Sequence, residues 1–280
     1  MKEISTKKLT LALAMIVVAI AANAQNSEPN VYLGLGTGVH SNTMKFSDID
    51  DTTFPTSESL SSGVLSLFAE IDFLSNHALA VRPQFTYLRR GGKLTEIDKS
   101  NWDKTVDDAY YKLNSGYLDF RVPVLFQLGN DKSAVRPYVG VAPVLGFSTG
   151  GDINMQVDMI DRKTTGYHVE MNSSNMSSTY FAVQPMIGLK IHLPALGLTN
   201  ACFLGLEVSY ELGITDTYGK EKDGDAFDVV NSTRNYRLSG TRKFHGFELN
   251  ATVGIPLYMS TRRTVTVPVS SGQYPEPYWD

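Results

Sequence analysis

The chain has 280 residues, 25 of them basic and 29 acidic, for a formal net charge of −4. That acidic balance speaks against nucleic acid as a partner, because phosphate backbones are bound by basic faces. A single cysteine, Cys202, excludes an intramolecular disulfide.

The first 24 residues read as a secretory signal peptide. Lys7 and Lys8 give a positive start and Leu9–Ala22 an apolar middle, while Ala22-Asn23-Ala24 supplies small residues before Gln25. The apolar part falls short of the ~20 residues a membrane helix needs. No cysteine follows the cleavage site, so a lipid-anchored start is not expected. Removing Lys2, Lys7, Lys8 and Glu3 leaves 22 basic and 28 acidic residues, a mature net charge of −6. No later stretch is apolar for long enough to cross a membrane as a helix. If the mature chain spans a bilayer, it must do so as a closed barrel.

Strands follow in order, each recognised by period-two alternation. Val31–Phe46 is Gly-rich (Gly34, Gly36, Gly38), which suits close packing inside a narrow barrel. Gly63–Leu74 sets Leu65, Leu67, Ala69, Ile71 and Phe73 against Ser66, Glu70 and Asp72. Leu79–Thr95 sets Val81, Phe85 and Tyr87 against Arg82, Gln84 and Thr86. The clearest stretch is Tyr117–Phe147. Leu118, Phe120, Val122, Val124 and Phe126 form one face of its first run, with Asp119, Arg121 and Gln127 on the other. After the turn Asn130–Ala134, Val139, Val141, Leu145 and Phe147 oppose Arg136, Tyr138, Gly140, Ala142 and Gly146. Tyr180–Leu193, Cys202–Thr215 and Gly246–Met259 repeat the pattern, with Lys190, Glu207, Glu211 and Glu248 on their polar faces.

One face is large and apolar; the other mixes charges with small residues. That is a barrel whose solvent is lipid, apolar outside and polar within. Connections alternate long (Ser47–Ser62, Glu96–Asn114, Gly151–Thr179, Asp216–His245) and short (Ser75–Ala78, Asn130–Ala134, Pro194–Ala201), as outer loops and periplasmic turns do. The expected fold is all-β: a closed antiparallel transmembrane β-barrel of about eight strands over residues 25–259, with a periplasmic tail at 260–280. Aromatics near strand ends supply interface girdles: Tyr32, Phe73, Phe126 and Tyr258 at one end, Phe46, Tyr87, Phe147, Phe181 and Phe247 at the other. Pro83, Pro123, Pro143, Pro185 and Pro256 cannot donate to a ladder, so they predict bulges or bends.

The hairpin YLDFRVPVLFQL followed by RPYVGVAPVLGF resembles the PorT-like outer-membrane β-barrel family of Bacteroidetes. That resemblance implies a barrel in the outer membrane of such bacteria, more than it implies the secretion role behind the family's name. Thr252–Met259 is similar to the terminal signal read by the barrel-assembly machinery, although Ser260–Asp280 follows it where many barrels end.

Inward charges of both signs form the candidate site: Glu70, Asp72, Asp119, Glu207, Glu211 and Glu248 against Arg82, Arg121, Arg136 and Lys190. They could line a conducting path. Eight strands, however, leave a lumen just filled by side chains, and buried charges persist when paired, so a structural network is expected. A hairpin turning about His77 would set Asp72 opposite Arg82.

His40, His168 and His245 are the candidates for lipid-modifying chemistry, which some small barrels perform. No spacing singles out a nucleophile beside them, and isolated loop histidines are usually solvated. No metal-ligand spacing occurs; the acidic run Asp216–Asp228 lacks the ordered calcium-loop pattern. No cofactor is expected. The polar outer loops, with Met155, Met159, Met171 and Met176, are the natural place for partner contact. The expectation is a non-enzymatic outer-membrane barrel, structural, adhesive or secretion-associated, whose partners are membrane lipid, the assembly machinery and a surface or secretion protein. A lipid-modifying enzyme and a soluble periplasmic ligand carrier are the rival classes.

Overall fold

Alternation at period two closes the chain into a ring. A computed structural model describes residues 30–46, 56–73, 78–95, 106–129, 133–159, 164–170, 177–193, 202–217 and 241–258. The signal-peptide boundary, the tail at 260–280, and His77, Met171 and Met176 lie outside the described residues. The strands are β1 (Asn30–Phe46), β2 (Thr56–Phe73), β3 (Leu79–Val81), β4 (Gln84–Thr95), β5 (Val106–Arg121), β6 (Val124–Gln127), β7 (Val135–Met159), β8 (Thr164–Glu170), β9 (Thr179–His192), β10 (Phe203–Gly213) and β11 (Arg242–Tyr258). Every pairing is antiparallel, and β1 pairs with both β2 and β11, which closes the circle. With β3/β4 and β5/β6 each counted as one interrupted stave, the ring has the eight staves the alternation predicts, and β8 stands outside it on β7.

The two interruptions fall at Arg82-Pro83 and Val122-Pro123, where proline removes a donor. The proline carbonyls still accept: Ala69 N–H donates to Pro83 O at 3.0 Å, Arg82 N–H to Pro123 O at 2.9 Å, and Val122 N–H to Pro143 O at 3.4 Å. The wall therefore bends without opening. Pro143 and Pro185 stay inside β7 and β9, where they meet Val183 and Val141. Pro256 sits beside the register shift that pairs Val31 with Tyr258 but Tyr32 with Pro256.

Facing follows the sequence reading closely. Leu35, Leu65, Phe85, Leu118, Leu206 and Leu249 are exposed on the outer wall, and their neighbours in sequence are buried inside. A solvent-exposed apolar belt of this kind has lipid as its partner. Two girdle assignments change. Tyr32 points into the lumen, packed edge-on against Phe203 with ring centroids 5.1 Å apart, and Phe73 is buried rather than exposed. Cys202 is half-buried just ahead of β10.

The staves are longer at their outer ends than the sequence suggests. β2 begins at Thr56 rather than Gly63, β5 at Val106 rather than Tyr117, and β11 at Arg242 rather than Gly246, while β7 runs on to Met159. Much of what reads as loop is strand that has left the lipid. Its alternation is inverted rather than lost: Leu94, Tyr111, Leu113 and Ile153 are buried inside while Lys93, Lys112 and Asn114 lie on the other face, so no apolar outer face marks it.

Inside, glycines make room for rings. A Cβ on Gly34 would sit 2.1 Å from Phe68 Cζ and 2.4 Å from the carbonyl oxygen of Val253, and one on Gly254 would sit 2.1 Å from Phe203 Cε1. The Gly-rich first strand thus works as its composition predicts. Gly34→Ala is expected to cost about 1–3 kcal/mol by overpacking, read as a lower urea midpoint for unfolding from detergent micelles. An unchanged midpoint would mean that the Phe68 ring has free space to move into.

Candidate functional site

The ten inward charges of the sequence reading are all buried, and the structure sorts them into two tiers. At the periplasmic end, Lys190 on β9 bonds Glu70 on β2 and lies 3.5 Å from Asp72. Arg82, at the proline break after β3, reaches Glu70 at 2.7 Å and Glu207 on β10 at 3.0 Å. Tyr138 OH donates to Glu207 at 2.8 Å, and the Gln127 amide donates to Asp72 at 3.0 Å. The expected Asp72–Arg82 pair does not form. The register places Asp72 opposite Ala80, so Arg82 meets the carboxylate one inward step away, Glu70. Arg136 is buried at the same end, next to the turn at Gly129.

Toward the outer end, Arg90 on β4 is the hub. It forks onto Asp119 at 2.9 and 2.7 Å and reaches Glu211 at 2.8 Å. Arg121 shares Asp119 at 2.9 Å and binds Glu248 at 2.8 Å. Glu248 also receives Nδ1 of His40 at 3.2 Å and the Asn250 amide. Tyr180 OH donates to Glu211 at 2.9 Å. Between the tiers lie neutral polar groups, among them Gln184 and Ser209, 2.7 Å apart. Above the outer tier, Arg242 bonds Thr217 Oγ1 at 2.9 Å and Tyr111 OH at 3.3 Å.

Three of the buried cations, Arg90, Arg82 and Lys190, also lie against aromatic rings. The Arg90 guanidinium is 4.4 Å from the Tyr180 ring centroid and 4.9 Å from Tyr117; Arg82 is 5.3 Å from Phe68, and Lys190 Nζ is 4.8 Å from Phe203. The rings add cation–π attraction and fill the cross-section between staves. Taking ions out of water costs several kcal/mol each, and only full pairing repays it. The lumen is therefore a cross-brace: every tier ties β2, β4 or β5 to β10 or β11 across the interior.

Sequence reasoning missed Arg90 and Arg242, and it singled out His40 without placing it in the lumen network. Arg90 follows Arg82, Gln84 and Thr86 at the same period, so extending the alternation two further steps would have found it. His40 was read as a solvated loop residue, but it lies within β1, fully buried. His168 is exposed on β8, its Nδ1 2.8 Å from Asn154 Oδ1, and His245 lies in β11. The three are strand residues on different staves and do not converge. Among the described residues no group of three His, Cys, Asp or Glu side chains is placed to hold a metal.

A closed antiparallel ring, apolar outside and ionic within, defines a class: the membrane-spanning β-barrels. Residues 10–244 match the family model described as the outer membrane protein beta-barrel domain, and the chain belongs to that family, which places it in the bacterial outer membrane. No curated protein matches the chain. Among solved structures, Neisserial surface protein A is 12% identical, with 80% of this chain and 96% of that one covered and a TM-score of 0.37. The Yersinia pestis attachment invasion locus protein Ail, in complex with the heparin analogue sucrose octasulfate, is 11% identical over 82% of this chain and all of its own, at 0.33. The N-terminal barrel domain of Pseudomonas aeruginosa OprF is 10% identical over 79% and 97%, at 0.24.

Proposed function

We propose that this protein is a non-enzymatic barrel whose outer strands and loops contact a partner, in a structural, adhesive or secretion-associated role. The observation that supports this is the lumen. Two tiers of paired charges, backed by aromatic rings, occupy the interior from Asp72 to Arg242, where a pore or a ligand carrier needs open space. Chemistry of the Ser/His/acid kind has no support either. His40 stands across the β1–β2 ladder from Ser62, but Ser62 Oγ is occupied by the backbone of Arg89 and His40 by Glu248. We assign the chain to the PorT-like branch on its central hairpin, with residues 1–24 cleaved on export and Thr252–Met259 read by the assembly machinery.

The full mature chain in planar bilayers is expected to show no steady large conductance. A defined conductance whose ion selectivity reverses in Arg121→Glu would overturn the sealed-lumen reading. Affinity capture from native outer membranes tests the partner role: a stoichiometric surface or secretion protein is expected, and recovery of the barrel alone would leave a purely structural role.

A further inference from the structure

Of the register shifts in the wall, the one between β2 and β4 holds a cation. β2 and β4 pair from Thr56↔Thr95 to Ser59↔Gly92 and again from Leu65↔Tyr87, with a register shift between. Five residues of β2 there face four of β4. The slip opens a notch of about 480 Å³ lined by Leu60, Ser61, Ser62, Gly63, Tyr87, Arg89 and Asn114.

Arg89 is built into this notch. Ser62 Oγ donates to its carbonyl at 2.9 Å and accepts from its N–H at 3.3 Å, replacing the lost ladder bonds and fixing its backbone. By parity the side chain points outward, away from the ionic lumen that takes Arg90. It is exposed and has no acidic partner among the described residues. A Cβ on Gly63 would meet nothing within 4 Å, whereas over Gly116, the ladder partner of Arg89 on β5, the Thr149 hydroxyl and the Tyr87 hydroxyl take that space.

Height gives the site its chemistry. Directly below, Leu65, Tyr87 and Leu118 are exposed and paired in one row, the upper margin of the apolar belt. Arg89 stands one outward step above that row, on the outer half of the stave. A guanidinium offers five fixed donors that match a phosphate fork. A ligand satisfying both parts of the site carries an anionic head at Arg89 and apolar chains over the row beneath.

We infer that the notch between β2 and β4 is a binding site for the phosphate-bearing headgroup of an outer-leaflet lipid, with Arg89 as its anion ligand. Gly63 keeps the approach open, and Ser62 holds the arginine in place. The role is separate from any protein partner of the outer loops.

Native mass spectrometry of the full mature barrel in detergent tests it, with monophosphorylated lipid A, its dephosphorylated form and inorganic phosphate as probes. The phosphorylated lipid is expected to bind and the dephosphorylated lipid to bind at least about tenfold more weakly, as loss of a charge-assisted contact requires. Arg89→Gln should produce the same loss. Gly63→Leu, which fills the notch while sparing Arg89, should produce it too. Lys243→Gln, an outward cation outside the notch, should leave binding unchanged. Gel mobility before and after boiling confirms that each variant is folded. Equal binding by Arg89→Gln, or an equal loss in Lys243→Gln, would overturn the site in favour of diffuse charge. Displacement of the lipid by inorganic phosphate at matched concentration would overturn the lipid assignment.

Discussion

Arg90→Met is expected to destabilise the barrel by about 3–5 kcal/mol, the cost of stranding a buried charge whose partner is gone. Asp119 and Glu211 would keep their burial and lose the fork that bridges β5 to β10. Asp119 retains Arg121, but Glu211 retains only the Tyr180 hydroxyl among the contacts described above. The loss is read as a lower urea midpoint for unfolding from micelles, with heat-modified mobility on gels as a second measure. Removing the acids as well should recover much of it, because replacing a whole buried ionic cluster by apolar groups is often near neutral. Arg90→Met with Glu211→Leu is therefore expected to be more stable than Arg90→Met alone. A single variant as stable as the parent would mean that water already reaches the tier, and the sealed lumen would have to be abandoned.

The same tier shows what sequence could and could not reveal. Facing is local information: at Tyr117–Gln127 alternation alone placed Asp119 and Arg121 inside, and it survived the proline break because Pro123 keeps the period. Which carboxylate meets which cation is not local. It depends on register across the ring, and a shift of two residues turned the expected Asp72–Arg82 pair into Glu70–Arg82. Long-range partners such as Arg82 with Glu207, 125 positions apart, have no sequence signal at all. His40 failed for a different reason. It lies near the polar end of a strand rich in Gly, Ser and Thr, where the outer face carries no apolar residue beyond Val39 to reveal the parity. Beyond the lipid the outward face turns polar while Leu94, Tyr111 and Leu113 stay inside, so the outer strands read as loops. The Arg89 notch was invisible for the same reason as the pairings: it arises from a slip between two staves.

Val208→Arg is expected to cost about 2–4 kcal/mol, since the position is exposed to lipid near the middle of β10 and arginine is most costly at the bilayer midplane. Its neighbour provides the control. Ser209 is buried in the lumen and bonded by Gln184. Arginine there never meets lipid and must instead be accommodated between two tiers that are already paired. The two variants differ by one residue, so local strand propensity cannot separate them; only the face can. Their dependence on solvent can. Shortening the lipid chains thins the apolar belt, which should relieve Val208→Arg because the guanidinium then reaches the interface, and leave Ser209→Arg as it was. Folding free energies measured in long-chain and short-chain bilayers carry the test. If Ser209→Arg followed lipid thickness and Val208→Arg did not, the wall would be inside out, and the lumen described above would be its lipid-facing surface.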